Sequence, residues 1–190
     1  MQKRCFWVND DPLYIEYHDN EWGKPVFDDE TLFEFLLLES FQAGLSWITI
    51  LKKRENFRKA FDNFDYQKIA NYKQDKFDEL IVNAGIIRNK LKVKSAITNA
   101  QLFMRIQKEF GSFSTYIWAF VDRKPIVNSF DKREDVPATT LLSDTISKDL
   151  KKRGFKFVGS TIIYAFMQAT GMVNDHTTDC FCHTKYYEDF

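Results

Sequence analysis

The sequence predicts an all-α protein, and three observations lead to this fold class. Apolar residues recur at helical spacing, most clearly at Val93, Ile97 and Ala100. Strand-type alternation of apolar and polar residues is weak along the whole chain. Seven glycines and four prolines among 190 residues are too few for the many tight turns of an all-β protein.

The predicted helices follow one another from end to end. Pro12, preceded by two aspartates, starts a short helix that runs to Tyr17. Three acids beginning at Asp28 start the next helix, which runs to near residue 40, because negative charge suits a helix N-terminus. Further helices are predicted over residues 45–61, 65–72, 75–83, 90–110, 113–120, 140–153 and 155–170.

Glycine and proline mark the ends of these segments. Gly111, Gly154 and Gly171 follow three of the predicted helices, where a glycine C-cap is common. Residues 121–138 are polar, contain Pro125 and Pro137, and are predicted to form a loop. No repeat or linker divides the chain, so one domain over residues 1–190 is expected.

Composition limits the cellular setting and the partners. The 27 basic and 27 acidic residues balance, so any nucleic-acid surface must arise from local charge. The first residues do not resemble a signal peptide, and no apolar run is long enough to cross a bilayer. We therefore expect a cytoplasmic monomer that does not associate with a membrane and has no obligate protein partner.

The cysteines and histidines predict a metal site. All six lie within residues 5–18 or 176–183. Cys5 and His18 from one end, with His176 and Cys180 from the other, make a set that suits one structural zinc ion. Cys182 and His183 are surplus, and one of them could replace a member of that set. Unligated thiols and a Cys–His nucleophile pair are the alternatives.

Residues 80–97 resemble a helix-hairpin-helix DNA-binding element. A turn at Gly85 separates two helices, and the basic residues Arg88, Lys90, Lys92 and Lys94 follow it. Backbone N–H groups at such a turn can bind phosphate. Ile87 stands where this element usually has a second glycine. The alternative is an ordinary solvated basic helix face. Lys148, Lys151, Lys152, Arg153 and Lys156 form a second basic set.

Glu39 is the most unusual acid in the sequence. It closes the apolar run of residues 32–38, where a carboxyl group is costly without a partner. Gly44 and Leu45 then interrupt the helical pattern, and Trp47 adds a large flat ring. An exposed glutamate at a helix turn beside a core tryptophan is the alternative.

Together these residues identify a family. The chain resembles bacterial 3-methyladenine DNA glycosylase I, a helix-hairpin-helix base-excision enzyme. The resemblance extends over nearly the whole chain and rests on the segments DPLYI (11–15), YHDNEWG (17–23), QAGLSW (42–47), LKKR (51–54), AGIIR (84–88), LKKRGFKFVG (150–159) and VNDH (173–176).

The resemblance implies an activity and a role for each candidate residue. The implied activity is hydrolysis of the N-glycosidic bond of 3-methyladenine flipped out of double-stranded alkylated DNA, without a lyase step. Zinc would be held by Cys5, His18, His176 and Cys180. The implied base pocket comprises Glu39 as the catalytic residue with Tyr17, Trp47, Trp7, Tyr14 and Trp22, and DNA is contacted by Gly44, Leu45, Gly85, Arg88 and Lys90.

Two other classes of protein compete with this interpretation. A zinc-stapled DNA-damage-binding protein without catalytic activity would share the same architecture. A metal-dependent hydrolase would need an open metal position and a nearby acid, for which Asp19, Asp175 and Asp179 are available. A purely helical interaction protein would leave the terminal placement of cysteine and histidine unexplained.

Overall fold

The computed structural model describes residues 2–184, which fold mainly into helices. The predicted domain also includes Met1 and residues 185–190, which lie outside the described residues. The described helices are α1 (Pro12–Asn20), α2 (Asp29–Gln42), α3 (Trp47–Leu51), α4 (Arg54–Ala60), α5 (Tyr66–Ile69), α6 (Gln74–Val82), α7 (Lys90–Phe110), α8 (Phe113–Trp118), α9 (Leu141–Lys152) and α10 (Ser160–Ala169). The all-α class is confirmed.

Several of the predicted helices were wrong in extent. The first continues to Asn20 instead of ending at Tyr17, and the helix predicted over residues 65–72 covers only Tyr66–Ile69. The segment over residues 45–61 is two helices, because the backbone at Lys53 (φ −102°, ψ −2°) leaves the helical path between α3 and α4. The helix predicted from residue 155 begins at Ser160 instead. There the side chain of Asn99 bonds both the N–H and the C=O of Lys156, and these backbone groups are thereby kept out of a helix.

The predicted loop over residues 121–138 contains one short strand. This strand, β1 (Ile126–Val127), pairs in parallel with β2 (Val173–Asn174). An isolated bridge between Phe130 and Thr177 extends the pairing. The loop is thus tied to the segment that carries the C-terminal cysteines and histidines.

The core surrounds α2 and α7. Phe103 of α7 packs edge to face on Phe33 of α2 at 5.1 Å between ring centroids, and stacks on Phe113 of α8 at 4.2 Å. Helix α10 packs against α9 and α2. Every residue of α2 from Leu32 to Phe41 is buried, so both faces of this helix are enclosed. Within the described chain, no helix combines the length and apolarity needed to span a membrane.

Gly171 is the glycine that the fold requires most strongly. Its φ is +69°, and a Cβ there would lie 2.5 Å from backbone atoms of Lys24 and Pro25. Gly111 also has a positive φ, +88°, but a Cβ there would meet nothing within 4 Å.

We expect Gly171→Ala to lower the free energy of unfolding by about 3 kcal/mol or more, because backbone must move, and Gly111→Ala by only about 1–2 kcal/mol. Urea denaturation of both variants measures the difference. Equal losses would contradict the close approach of these two segments.

Candidate active site and metal centre

The five aromatic residues predicted for a base pocket lie around one cavity. Trp7, Tyr14, Tyr17, Trp22 and Trp47 line a space of about 320 Å³ together with Glu39. Tyr17 comes from α1 and Trp47 from the first position of α3. Tyr14 also lies in α1, and Trp7 and Trp22 flank that helix, so residues near the N-terminus meet α2 and α3 at the cavity.

The rings support one another edge to face. The Trp7 ring lies 5.0 Å from Tyr14 and 5.0 Å from Trp22, both T-shaped. Tyr17 and Trp47 face each other at 5.4 Å with a 43° tilt between their planes. This pair offers the aromatic surface on which a planar ligand can stack.

Three buried polar atoms at this cavity have no hydrogen-bond partner among the described residues. They are the Tyr17 hydroxyl, Glu39 Oε2 and Trp47 Nε1. A buried polar group without a partner costs roughly 1–3 kcal/mol. Three such groups around one cavity indicate a ligand site that offers acceptors and donors at fixed positions.

Glu39 differs from the other buried glutamate of α2. Glu34 is paired with Arg54 at 2.7 Å and Arg58 at 2.9 Å. Glu39 is only 2% exposed, and burial raises the pKa of its carboxyl to about 8. In the free protein at pH 7 the side chain is therefore mainly the neutral acid. Burial also raises the pKa of Tyr17, with the nearby Glu39 as a further cause.

Sequence reasoning missed the opposite wall of the cavity. Tyr164 and Gln168 of α10 contribute to it, and so does Asp175. The Asp175 carboxylate accepts hydrogen bonds from the Tyr164 hydroxyl (2.6 Å), Gln168 Nε2 (2.8 Å) and Asn128 Nδ2 (2.7 Å). The VNDH segment pointed to Asp175, but only the packing of α10 placed it at the cavity. The remaining rim includes Phe6, Gln42 and residues 136–138.

The four predicted metal ligands converge beside this cavity. Cys5, His18, His176 and Cys180 are buried, and their ligand atoms lie within 4.8 Å of one another. Cys5 Sγ is 3.3 Å from His176 Nδ1, and Cys180 Sγ is 3.4 Å from His18 Nε2. Tetrahedral zinc with ordinary bond lengths separates sulfur and nitrogen ligands by about 3.6 Å. The donor set and its spacing therefore fit a zinc ion.

The outer nitrogens of both histidines are already occupied. His18 Nδ1 lies 2.8 Å from Asp19 Oδ1, and His176 Nε2 lies 3.2 Å from the Trp22 carbonyl. Each acceptor holds a proton on the outer nitrogen, so the inner nitrogen presents a lone pair, as metal ligation requires. Arg4 in turn holds Asp19 through bonds of 2.6–3.1 Å.

The surplus residues lie outside the four-ligand set. The Cys182 backbone N–H points at Cys180 Sγ (3.4 Å), and the Cys182 thiol lies 4.0 Å from the His18 carbonyl. His183 Nε2 lies 3.0 Å from the Asn128 carbonyl. Cys182 therefore contacts two residues of the cluster, Cys180 and His18, without belonging to the four-residue set.

The cluster and the cavity share a wall. The Trp22 ring packs edge to face on His176 at 4.6 Å, and the Trp7 ring does so on His18 at 5.3 Å. Since Trp7 and Trp22 also line the cavity, any change in the cluster is transmitted to it by direct contact.

The turn at residues 83–89 presents free backbone donors. The Gly85 N–H is bonded to Asn83 Oδ1 at 2.8 Å, and Asn89 caps α7. In the described part of the chain, the N–H groups of Ile87 and Arg88 have no hydrogen-bond partner. Arg88 and Lys90 are exposed beside them, so an anion can reach both kinds of donor.

Gly44 and Leu45 form an exposed projection between α2 and α3. Gly44 has a φ of +80°, a Cβ there would meet nothing within 4 Å, and the apolar side chain of Leu45 is 41% exposed. Two other basic residues are less available than the sequence suggested. Lys92 is only 5% exposed, and Arg153 is paired with Glu109 and Asp149.

A partly open aromatic cavity, three buried polar atoms without partners among the described residues, an exposed apolar projection and a basic turn define a helical protein suited to bind an extruded planar base. Comparison with known proteins agrees. The chain belongs to the methyladenine glycosylase family, whose model matches residues 7–183.

The relatives are similar over almost their full length. The chain is 49% identical to DNA-3-methyladenine glycosylase 1 of Escherichia coli (strain K12), over 95% of this chain and 97% of that protein. It is 50% identical to DNA-3-methyladenine glycosylase of Haemophilus influenzae, over 97% and 100%. A crystal structure of a 3-methyladenine DNA glycosylase I in complex with 3-methyladenine is 36% identical, with a TM-score of 0.93 over 96% of this chain and 98% of that one.

The burial of Glu39 predicts how stability depends on pH. The unfolded chain loses this proton near pH 4.5 and the folded chain near pH 8, so the folded state binds more protons between these values. Stability contributed by this group is complete below about pH 4.5 and is lost as pH rises to about 8.

Across that window the free energy of unfolding of the wild type should therefore fall relative to Glu39→Gln, by at most about 5 kcal/mol. Urea denaturation of both proteins at pH 5, 6.5 and 8 measures the difference, and all other titrating groups cancel. Parallel stability curves for the two proteins would contradict the raised pKa.

Proposed function

We propose that this protein is a monofunctional DNA-3-methyladenine glycosylase, a hydrolase that removes 3-methyladenine from double-stranded alkylated DNA and so starts base excision repair. The observation that carries the proposal is the set of three unpartnered polar atoms around a purine-sized aromatic cavity. The names of the relatives and the bound base of the 36% identical structure support the same substrate.

The substrate needs little chemical activation. Alkylation at nitrogen 3 leaves the base positively charged while it is bonded to deoxyribose, so the base is a good leaving group. The protein must extrude the nucleotide and hold the departing base. Tyr17 and Trp47 can stack on the cationic ring, each contributing roughly 1–3 kcal/mol.

Glu39 would act mainly through recognition and electrostatics. It enters the complex as the neutral acid, and the positive base favours its ionised form. The carboxylate can then accept a hydrogen bond from the exocyclic amino group of adenine, a donor that guanine lacks at that position. The Tyr17 hydroxyl and Trp47 Nε1 are free to bond other edges of the base.

Water attacks the sugar carbon as the glycosidic bond breaks, the electron pair of that bond leaves with the base and neutralises its positive charge, and the proton lost by the attacking water passes to solvent. A direct general-base role for Glu39 is less favoured, since its carboxyl is enclosed among aromatic rings and is 2% exposed. Asp175, the other carboxylate at the cavity, is already held by three hydrogen-bond donors.

DNA would be held at two places. Leu45, presented by Gly44, fills the stack that the extruded base has left. The turn at residues 83–89 acts as a helix-hairpin-helix element whose N–H groups at Ile87 and Arg88 bind phosphate, with Arg88 and Lys90 adding charge. A Cβ at Gly85 would lie 3.0 Å from Asn83 Oδ1 and 3.3 Å from Asn56 Cβ, so a side chain there would be tightly packed and its neighbours would have to shift.

One zinc ion bound by Cys5, His18, His176 and Cys180 would serve a structural role. Four protein ligands leave no open position for catalysis, and the ion would supply cross-linking of the two terminal segments. The metal-dependent hydrolase is therefore disfavoured. Its candidate acids are engaged elsewhere: Asp19 with Arg4 and His18, and Asp179 with Lys3.

The remaining alternative is a damage-binding protein that extrudes the base without cleaving the bond. Purified wild type should release 3-methyladenine from methylated duplex DNA. Glu39→Ala should lose about 100-fold or more of this activity, because alanine cannot accept the hydrogen bond from the exocyclic amino group of the base. Chromatography of the released bases is the measurement.

Glu79→Ala, at an exposed glutamate paired only with Lys76, is the matched control and should behave as wild type. No release of any alkylated base by folded, zinc-loaded wild type would favour the damage-binding protein.

Glu39→Gln separates recognition from general-base catalysis. Glutamine keeps the shape of the neutral acid and retains a carbonyl acceptor, so we expect a loss of roughly tenfold in base release. A loss of several orders of magnitude with unchanged binding of free 3-methyladenine would instead establish Glu39 as the base.

Cys180→Ser tests the metal. We expect the wild type to contain one zinc per chain by elemental analysis, and the variant to lose it with a drop in Tm of about 10 °C or more. Cys182→Ser, which changes a buried cysteine outside the ligand set, should keep the zinc. Activity lost at full thermal stability would argue for a catalytic metal.

A further inference from the structure

Lys92 lies in an unfavourable place for a positive charge. It is the third residue of α7, where the helix dipole opposes a cation, and it is 5% exposed. Burial lowers the pKa of its ammonium group. No carboxylate pairs with it among the described residues. A buried lysine in such a position is expensive unless specific bonds offset the cost.

Those bonds go to the C-terminal end of α2. Lys92 Nζ donates to the carbonyls of Phe41 and Ala43, each at 2.7 Å. The intervening carbonyl, Gln42, accepts from the Leu45 N–H at 2.6 Å. Three successive carbonyls that the helix leaves free at its end are thereby satisfied, two of them by one ammonium group. The negative end of the α2 dipole also favours the charge.

The chain that leaves this anchor is the exposed projection of Gly44 and Leu45. Ala43 is the last residue held by Lys92, and Gly44 follows with a φ of +80° and open space where a Cβ would lie. Lys92 thus fixes the chain two residues before Leu45, whose side chain is 41% exposed, and α3 begins two residues after it.

We propose that Lys92 is a positioning residue that sets the direction of the Leu45 side chain toward DNA, rather than a phosphate contact. The inference rests on the proposed function, in which Leu45 fills the stack of the extruded base. It also gives α7 a second role. Lys92 lies just after the basic turn at residues 83–89, and Asn89 caps its N–H at 3.1 Å, so one residue joins the phosphate-binding turn to the projection.

The test compares Lys92→Met with Lys108→Met, an exposed lysine near the other end of α7. We expect Lys92→Met to lower kcat/KM for base release from methylated duplex DNA by about 10- to 100-fold, since small displacements of a positioned group are this costly. Its affinity for free 3-methyladenine, followed by tryptophan fluorescence, should stay within about twofold of wild type, because the pocket residues are not displaced. Lys108→Met should match wild type in both.

A double-mutant cycle with Leu45→Ala distinguishes positioning from general stability. If Lys92 acts through Leu45, adding Lys92→Met to Leu45→Ala should change duplex activity by less than about twofold. Additive losses, a parallel loss of free-base affinity, or wild-type duplex activity in Lys92→Met would each overturn the inference. A Lys92→Met variant that does not fold would also overturn it, since the lysine would then support the whole domain. Absence of base release by wild type would refute the proposed function itself.

Discussion

The convergence of the two terminal segments is the constraint on which the rest of the site depends. Cys5 and His18 meet His176 and Cys180 in a buried cluster, and the rings of Trp7 and Trp22 pack directly on its histidines. Because Trp7 and Trp22 also line the cavity, this junction helps to fix the positions of two of its rings. The parallel pairing of β1 with β2 ties the same C-terminal segment to the loop at the cavity rim.

Helix α2 organises the other half of the site. It is buried on all sides from Leu32 to Phe41, yet it carries two acids in this stretch. Glu34 is neutralised by two arginines, whereas Glu39 has no such partner and remains protonated at neutral pH. A fold stabilised only by packing would not keep a second, unpartnered acid in this position. The unsatisfied carboxyl, the Tyr17 hydroxyl and Trp47 Nε1 make the cavity complementary to a polar, planar, cationic ligand and costly when empty.

Basic side chains in this protein act more by fixing the positions of neighbouring segments than by creating a broad positive potential. The net charge is zero, and two residues of the predicted basic sets, Lys92 and Arg153, form contacts within the protein instead, as does Lys53. Lys92 closes the end of α2, Lys53 donates to the carbonyls of Ala84 and Gly85, and Arg153 is paired with two acids. The basic turn keeps Arg88 and Lys90 exposed.

The sequence by itself determined the all-α class, the family and the four-residue Cys/His set, because helical periodicity, long family segments and the terminal clustering of ligand residues are properties of order along the chain. Even the ends of α7 were predicted, since Asn89 and Gly111 are local signals. Only the tertiary structure decided that residues 45–61 form two helices and that residues 155–159 stay outside a helix, because the contacts of Asn99 with Lys156 are long-range. The position of Asp175 at the cavity and the burial of Lys92 were likewise decided only by the tertiary structure. Whether a charged residue faces solvent, a ligand or a helix end depends on what packs against it, and that information is absent from its neighbours in sequence.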